Sequence, residues 1–529
     1  MIYQLRIMRS YIKTMGTLSI MHFFLALCLI VPSSLLSINS SYALDRLESS
    51  LPDCNILLIT IDALRADHLS CYGYERTTSP HIDKVAGEGF IFENVIAPSS
   101  WTAPSMVSLF TSVYPINHGV VHGFIKNGKT ILNQEVFSHE IITLPEILKA
   151  HGYTTFGIAA NLHFSEQFGF GRGFDYYKCL PWSPAPVVNE ILASWRDTIK
   201  SSEKFFLWIH YFDPHHFYHA RKPWIEDYTS SVLTQTLNLS KKTVKQLTES
   251  IPLFKKDHQA LSHLIALYDS EINYVDYHLG EFMQSFELEE NTLMIITADH
   301  GEEFLDHEMI GHGHNLYTES ITVPLIIKLP HGSNKRVTNQ QVSLLDIMPT
   351  VLSLARIPSP AQTIGESLIS PEGEVRPIGK RLLFTELERG EDLNLKAVLT
   401  EDKKYMYDYD AVDRTLSARI KRAWKKDWRY LFNSKEVIES LFDRKQDPRE
   451  HINLINEQAS LGETLKQQLD RWIATSHRYP VSQVNITPSQ ETQEQLKALG
   501  YISQSDEANV TPPSKDCVSC KPAPSKNQQ

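Results

Sequence analysis

Five apolar runs of strand length punctuate the chain: "NILLITI" (Asn55–Ile61), "TTFGIAA" (154–160), "FFLWIHYF" (205–212), "TLMIITA" (Thr292–Ala298) and "VPLIIKL" (323–329). They do not alternate apolar with polar residues, so neither face of such a strand suits water. Continuous runs of this kind predict strands covered on both sides by helices, in a sheet that is mostly parallel. Between them lie helix-period stretches such as "LIALYDSEINYVDYHLGEFMQSF" (264–286), with apolar residues three and four apart. The expected class is therefore α/β, a large α/β/α sandwich with a mostly parallel sheet. Residues 222–263 are polar and pattern-poor and read as an insertion over one end of that sheet. After about residue 360 the aromatic stretches "RLLFTEL" (381–387), "KKYMYDYD" (403–410), "WRYLFN" (428–433) and "ESLFDRKQDPREHINLI" (439–455) predict a smaller C-terminal antiparallel-sheet subdomain.

The N-terminus is a separate matter. Arg6, Arg9 and Lys13 precede "IMHFFLALCLIV" (20–31), and "SYA" (41–43) follows. Charged, apolar and small segments in that order predict a secretory signal over 1–43, and the apolar core is short for a membrane span. The expected location is periplasmic or secreted, with no stable membrane span after cleavage. The full chain of 529 residues carries a net charge of −11, and losing the leader removes only basic residues. A uniformly basic groove for nucleic acid is excluded on that balance. Cys54, Cys71, Cys179, Cys517 and Cys520 are too scattered for a disulfide scaffold. Residues 503–529, polar and Pro-rich, are expected to be a disordered tail.

Each buried run but the last is followed by residues with chemistry. Asp62 follows the first, Asn161 and His163 the second, Asp213 and His215 the third, and Asp299 with His300 the fourth. Ligands of open parallel sheets bind outside the carboxyl ends of the strands. A single Asp there is commonly a turn or cap residue; four such ends in one sheet predict one convergent site. Asp62, Asp299 and His300 offer oxygen and nitrogen donors for a divalent cation. Thr102, in "SSWTAPSMVSLFTSVYP" (99–115), opens a helical stretch. It reads either as a plain N-cap or as a hydroxyl that a cation activates, at a helix end suited to an anion. Nucleophile, metal and anion seat together describe a hydrolase or transferase of phosphate or sulfate esters. Arg65 and Asp67 read as a pair that orients the Asp62 turn. Glu302–Glu303 reads as a solvated helix start, and Tyr218 and Trp224 as a substrate mouth or as packing of the insertion.

The stretch 56–120, from "ILLITIDALRADHLS" to "SSWTAPSMVSLFTSVYPINHGV", resembles the opening of sulfatases, members of the alkaline-phosphatase superfamily. "HYFDPH" (210–215), "TADHGEEFLDHEMIGHGHNLYTESITVPLIIKLP" (297–330) and "EQLKALGYI" (494–502) follow in the family's order. The resemblance implies a sulfatase-like catalytic domain over 53–358 and a C-terminal subdomain with a terminal helix over 359–502. It places Asp62 on the family's first metal-binding aspartate, with Ala63 where a second often stands, and Asp299 and His300 on the later metal-binding pair. His215 matches a histidine that contacts the ester, and His312 falls where many sulfatases carry a lysine for the leaving-group oxygen. Asn161 and His163 fall on a Lys-x-His pair, and His314 joins them as a substrate-binding candidate. Thr102 opens the motif that is Cys/Ser-x-Pro-Ser-Arg in sulfatases, and Met106 stands for its arginine. Threonine is not converted to formylglycine, so none is expected.

The resemblance implies an exported metal-dependent hydrolase of sulfate or phosphate esters. Thr102 is its metal-bound nucleophile, and His215 and His312 are further catalytic residues. One divalent ion is expected, Ca²⁺ or Mg²⁺ ahead of Mn²⁺ or Zn²⁺; Asp213, His215, His312 and His314 offer donors for a second, but not in the family's spacing. The substrate class is a sulfated or phosphorylated small molecule or glycan. A catalytically idle relative that binds such glycans, and a phosphoryl or phosphoethanolamine transferase, are the alternatives.

Overall fold

Eight strands form the central sheet: β1 (Asn55–Ile61), β2 (Phe90–Ile96), β3 (Thr154–Ala159), β4 (Tyr176–Cys179), β5 (Phe205–Tyr211), β6 (Thr292–Ala298), β7 (Thr322–Lys328) and β8 (Arg336–Ser343). The computed structural model describes residues 54–122, 124–127, 131–229, 244–288, 290–332, 335–389, 393–409, 439–486 and 490–498. The expected leader, the tail and the strand candidate at 428–433 lie outside them. The strand order is β8-β2-β7-β6-β1-β5-β3-β4. Every neighbouring pair is parallel except those of β7, which runs antiparallel to β6 and to β2. The run at 323–329 is thus a buried strand of reversed direction: apolarity reports cover on both faces, not polarity of the chain. β5 and β6 are buried along their whole length, as the unbroken apolar runs require.

Three strands escaped the sequence pattern. Glu93 and Asn94 interrupt β2, β4 is a short edge, and β8 ("RVTNQQVS") is the polar opposite edge. Polar residues on an edge strand discourage further pairing, so such strands carry little apolar signal. The helix His258–Phe286 starts inside the segment expected as an insertion. Asp257 caps it, its side chain accepting from the backbone of Gln259 and Ala260. Leu264, Leu267, Tyr268, Ile272, Val275 and Leu279 bury its inner face.

The C-terminal subdomain is an antiparallel sheet of β9 (Leu383–Arg389), β10 (Leu393–Leu399), β11 (Lys403–Asp408) and β12 (Glu439–Asp443) in sequential order. The helix Ala459–Thr475 lays Leu465 and Leu469 on Val398, Tyr405 and Leu441 of that sheet. The chain then returns to the large domain, where Val481–Ile486 pairs with Ile131–Phe137. Among the described residues no helix is long and apolar enough to cross a membrane.

Candidate active site

Register brings the strand ends to one place. Ile61 of β1 lies level with Tyr211 of β5 and Ala298 of β6, so the next residues of all three strands emerge at the same edge. Asp62, Asp299 and His300 are fully buried there. Ala63 turns the chain with φ 55°, a left-handed backbone that costs a non-glycine residue about 1–2 kcal/mol. The turn is held at both ends: Ala63 N–H donates to Asp299 Oδ1 at 3.1 Å, and its carbonyl accepts from the Tyr268 hydroxyl at 2.7 Å. Arg65 anchors the next step through Asp67 and Asp306.

Thr102 is the first residue of a wholly buried helix, Thr102–Thr111. Trp101, with extended backbone, occupies the cap position, and no side chain caps the helix. The plain-cap reading is therefore displaced: Thr102 Oγ1 is turned across the site, 3.2 Å from His300 Nε2. Two contacts fix the helix in place. Ser105 donates to the Asp299 carbonyl at 2.6 Å, and His118 Nε2 lies 3.2 Å from the Pro104 carbonyl and 3.1 Å from Ser108 Oγ. Met106, at the expected position of an arginine, is a buried apolar side chain.

The donors around Thr102 suit a divalent cation. Asp62 Oδ1 and Asp299 Oδ2 are buried without a hydrogen-bond partner among the described residues, and His300 Nε2 lies 3.6 and 3.4 Å from them. His300 Nδ1–H donates to the Gly301 carbonyl at 2.8 Å, which leaves a lone pair on Nε2 in the neutral ring. One ligand atom from each of the three residues falls within 4.8 Å of the others. Orphaned carboxylate oxygens aimed at an imidazole lone pair call for a cation to satisfy them. Burial opposes the charge of Asp62, but His215, His210 and His300 hold its carboxyl far below the usual range. Burial and the Asp62 charge push Asp299 upward; burial opposes a proton on His300, but Asp299 and Asp62 outweigh it and raise His300 above its ordinary value.

The remaining predicted residues divide. Asn161 is engaged within the protein: its Nδ2 donates to Asp62 Oδ2 at 2.8 Å and its Oδ1 accepts from His163 N–H, so it orients the Asp62 carboxylate. The buried His163 packs its ring against Trp101, 5.6 Å between centroids. His314 is directed at Glu303, 2.9 Å away, instead of at the site. Glu302 and Glu303 are fully buried and accept several hydrogen bonds, which corrects the solvated-helix reading. Tyr218 is buried with its hydroxyl on Glu302, as packing of the insertion and not a mouth.

His215 and His312 do line the site, but with the wrong edge for proton donation. His215 Nδ1–H donates to the His216 carbonyl at 2.6 Å and His312 Nδ1 binds Glu302 Oε1 at 3.0 Å. Burial drives His312 down to about 4 and His215 well below its ordinary value. With Nδ1–H so engaged, each ring in its neutral form presents a lone pair, not an N–H, at Nε2. His210 was not anticipated: it sits within the apolar run of β5, its Nε2 3.3 Å from Asp62 Oδ2. A lone histidine in a buried strand carries no signal of that role in sequence.

The sulfatase family model matches residues 54–357. The chain belongs to the sulfatase family. An arylsulfatase of Clostridium perfringens is 25% identical over 477 residues, covering 79% of this chain and 92% of that one. The human N-sulphoglucosamine sulphohydrolase is 23% identical over 456 residues, 77% of this chain and 87% of its own. Among solved structures, the phosphonate monoester hydrolase of Agrobacterium radiobacter superposes with a TM-score of 0.59 at 19% identity, covering 80% of this chain and 95% of that one. Membership makes this sulfatase a hydrolase of sulfuric or phosphoric esters, and the family's divalent-metal habit agrees with the donor set around Thr102.

Proposed function

We propose that this sulfatase is an exported, metal-dependent ester hydrolase whose nucleophile is the Thr102 hydroxyl. The observation that carries the reading is the aim of Thr102 Oγ1 at His300 Nε2, 3.2 Å away, beside the orphaned oxygens of Asp62 and Asp299. A divalent cation held by Asp62, Asp299, His300 and Thr102 favours the ionised hydroxyl and offsets the charge of the ester. The protein's own part is positional. Ser105 and His118 lock the helix that carries Thr102, and Asn161 and His210 hold Asp62. Free N–H groups of the first helical turn face the anion.

Thr102 Oγ1 forms a bond to the sulfur or phosphorus of the ester while the bond to the alcohol oxygen breaks. The departing alkoxide takes its proton from water, because His215 and His312 have none to give on the facing nitrogen. Water then attacks the sulfur or phosphorus of the threonine ester and restores the hydroxyl. A formylglycine hydrate ejects sulfate with its second hydroxyl; threonine has none. The threonine enzymes of the superfamily that the sequence resembles work through a phosphorylated threonine, so phosphate-type monoesters are the substrates we favour. The human relative named above supports a sulfated small molecule or glycan as the class, and its phosphorylated counterpart follows from the threonine.

Acid quench during turnover of a phosphate or phosphonate monoester, followed by peptide mass spectrometry, tests this. The peptide containing Thr102 is expected to carry the mass of the transferred group; quenched protein with that mass on another residue contradicts the assignment.

A further inference from the structure

His215 and His216 follow β5, His312 lies on the loop after β6, and the three meet at the wall of the Thr102 site. The ring centroids stand 4.3 Å (His215–His216), 4.8 Å (His215–His312) and 5.4 Å (His216–His312) apart. One ring nitrogen of each falls within 4.8 Å of the others. The opposite edges of two of the rings are held by acceptors, and that of the third faces a carboxylate. His215 Nδ1–H is on the His216 carbonyl and His312 Nδ1 on Glu302 Oε1, while His216 Nδ1 is 3.8 Å from Glu302 Oε2. His216 Nε2 is buried without a hydrogen-bond partner among the described residues.

Three imidazoles in this arrangement bring three potential donor nitrogens together, and one of these rings, His216, leaves its Nε2 without a hydrogen-bond partner among the described residues. Such a cluster is not explained by packing, since buried polar atoms are normally paired. Histidines whose far nitrogen donates to a carboxylate or carbonyl are the usual metal-ligating form. Glu302 fits the supporting place: it is fully buried, and it receives the Tyr218 hydroxyl at 2.9 Å as well as His312. Three histidines with an open fourth position make a zinc-type donor set.

We propose that His215, His216 and His312 hold a second divalent cation of the zinc class, backed by Glu302, beside the one that Asp62, Asp299 and His300 suit. The rings of His300 and His312, one from each set, are 4.2 Å apart, so the two ions share the ester-binding space. The second ion supplies positive charge where this chain has Met106, Asn161 and His312 in place of the cationic side chains that the sulfatase resemblance implies. Asp213 takes no part: Arg221 and the backbone of Ala185 occupy its two oxygens. The ligand set does not depend on Thr102 being the nucleophile.

Chelator-stripped full-length protein titrated with Co²⁺ or Zn²⁺ tests the site, with visible absorption for four-coordinate Co²⁺ and mass-spectrometric metal counting as readouts. The expected content is two ions per chain, falling to one in His216→Ala and His216→Gln with loss of the intense Co²⁺ bands. Asp299→Asn is expected to lose the other ion and keep those bands, and circular dichroism confirms that each variant is folded. Wild-type protein that binds one ion or none, or folded His216 variants that keep two, overturns the proposal. Thr102→Ala keeps the Co²⁺ bands whatever its turnover, so failure of the nucleophile assignment and failure of this one are read separately.

Discussion

The Oγ1 of Thr102 stands 3.2 Å from the Nε2 of His300, across a gap bordered by two carboxylate oxygens that no hydrogen bond among the described residues satisfies. Two independent elements make that meeting: a helix entered at Thr102, and the turn after β6. Ser105 couples them by donating to the carbonyl of Asp299.

Adding a hard divalent cation is expected to stabilise the protein, because the native donor set binds it and the unfolded chain does not. At a free concentration of about one hundred times Kd the gain is about 2.7 kcal/mol. Asp299→Asn removes that gain, read as a melting temperature that no longer rises with Ca²⁺ or Mg²⁺.

Asn161→Ala is expected to weaken the same cation by about 10–100-fold, the usual cost of losing a group that orients a metal ligand. The contact at stake is its 2.8 Å hydrogen bond to Asp62 Oδ2. Calorimetric titration of metal into the variant checks it, and turnover is expected to recover at high metal concentration.

His118 gives the fold an acid-sensitive point away from the metal donors. Burial lowers it to about 3 from an ordinary value of 6.5, so the folded protein keeps it neutral while the unfolded chain takes up a proton. Between those values the unfolded state binds more protons. Stability therefore falls as pH drops from 6.5 towards 3, by at most about 1.4 kcal/mol per pH unit from this group. His118→Gln is expected to be less stable at pH 7 and to lose less on going to pH 5, measured by urea unfolding at both.

Lys404 and Glu450 form a fully buried pair, 2.5 Å apart, and Glu450 also accepts from Thr318 N–H of the large domain. Glu450→Ala strands the Lys404 ammonium and is expected to cost about 3–5 kcal/mol. The double variant Lys404→Met with Glu450→Leu is expected to recover much of that loss in the same unfolding assay.

Much of this was legible in the chain, and for identifiable reasons. The unbroken apolar runs marked β1, β3, β5, β6 and β7 because double-sided burial leaves no room for polar residues. Strand-end residues Asp62, Asp299 and His300 could be grouped because parallel strands deliver their carboxyl ends to one edge. β2 and β8 were hidden by Glu93, Asn94 and an edge position, and β10 by the mixed pattern of "LNLKAVL". The direction of His314, and the engagement of Asn161 with Asp62, are questions of side-chain aim that residue spacing does not carry. His210 and His216 went unmarked for a related reason. One lies inside a buried strand and the other beside a better-known neighbour, so only the folded geometry turns them towards Asp62 and His312.

The most direct test of the central claim is hydrolysis of paired nitrophenyl sulfate, phosphate and phosphonate esters with added Ca²⁺, Mg²⁺, Mn²⁺ or Zn²⁺, by wild-type protein and Thr102→Ala in parallel. The expected result is metal-dependent turnover, strongest on a phosphate-type ester, that falls by a factor on the order of 10³ or more in a folded Thr102→Ala. Turnover retained in Thr102→Ala, or a wild-type protein that binds metal and hydrolyses none of these esters, would contradict Thr102 as the nucleophile of a working enzyme.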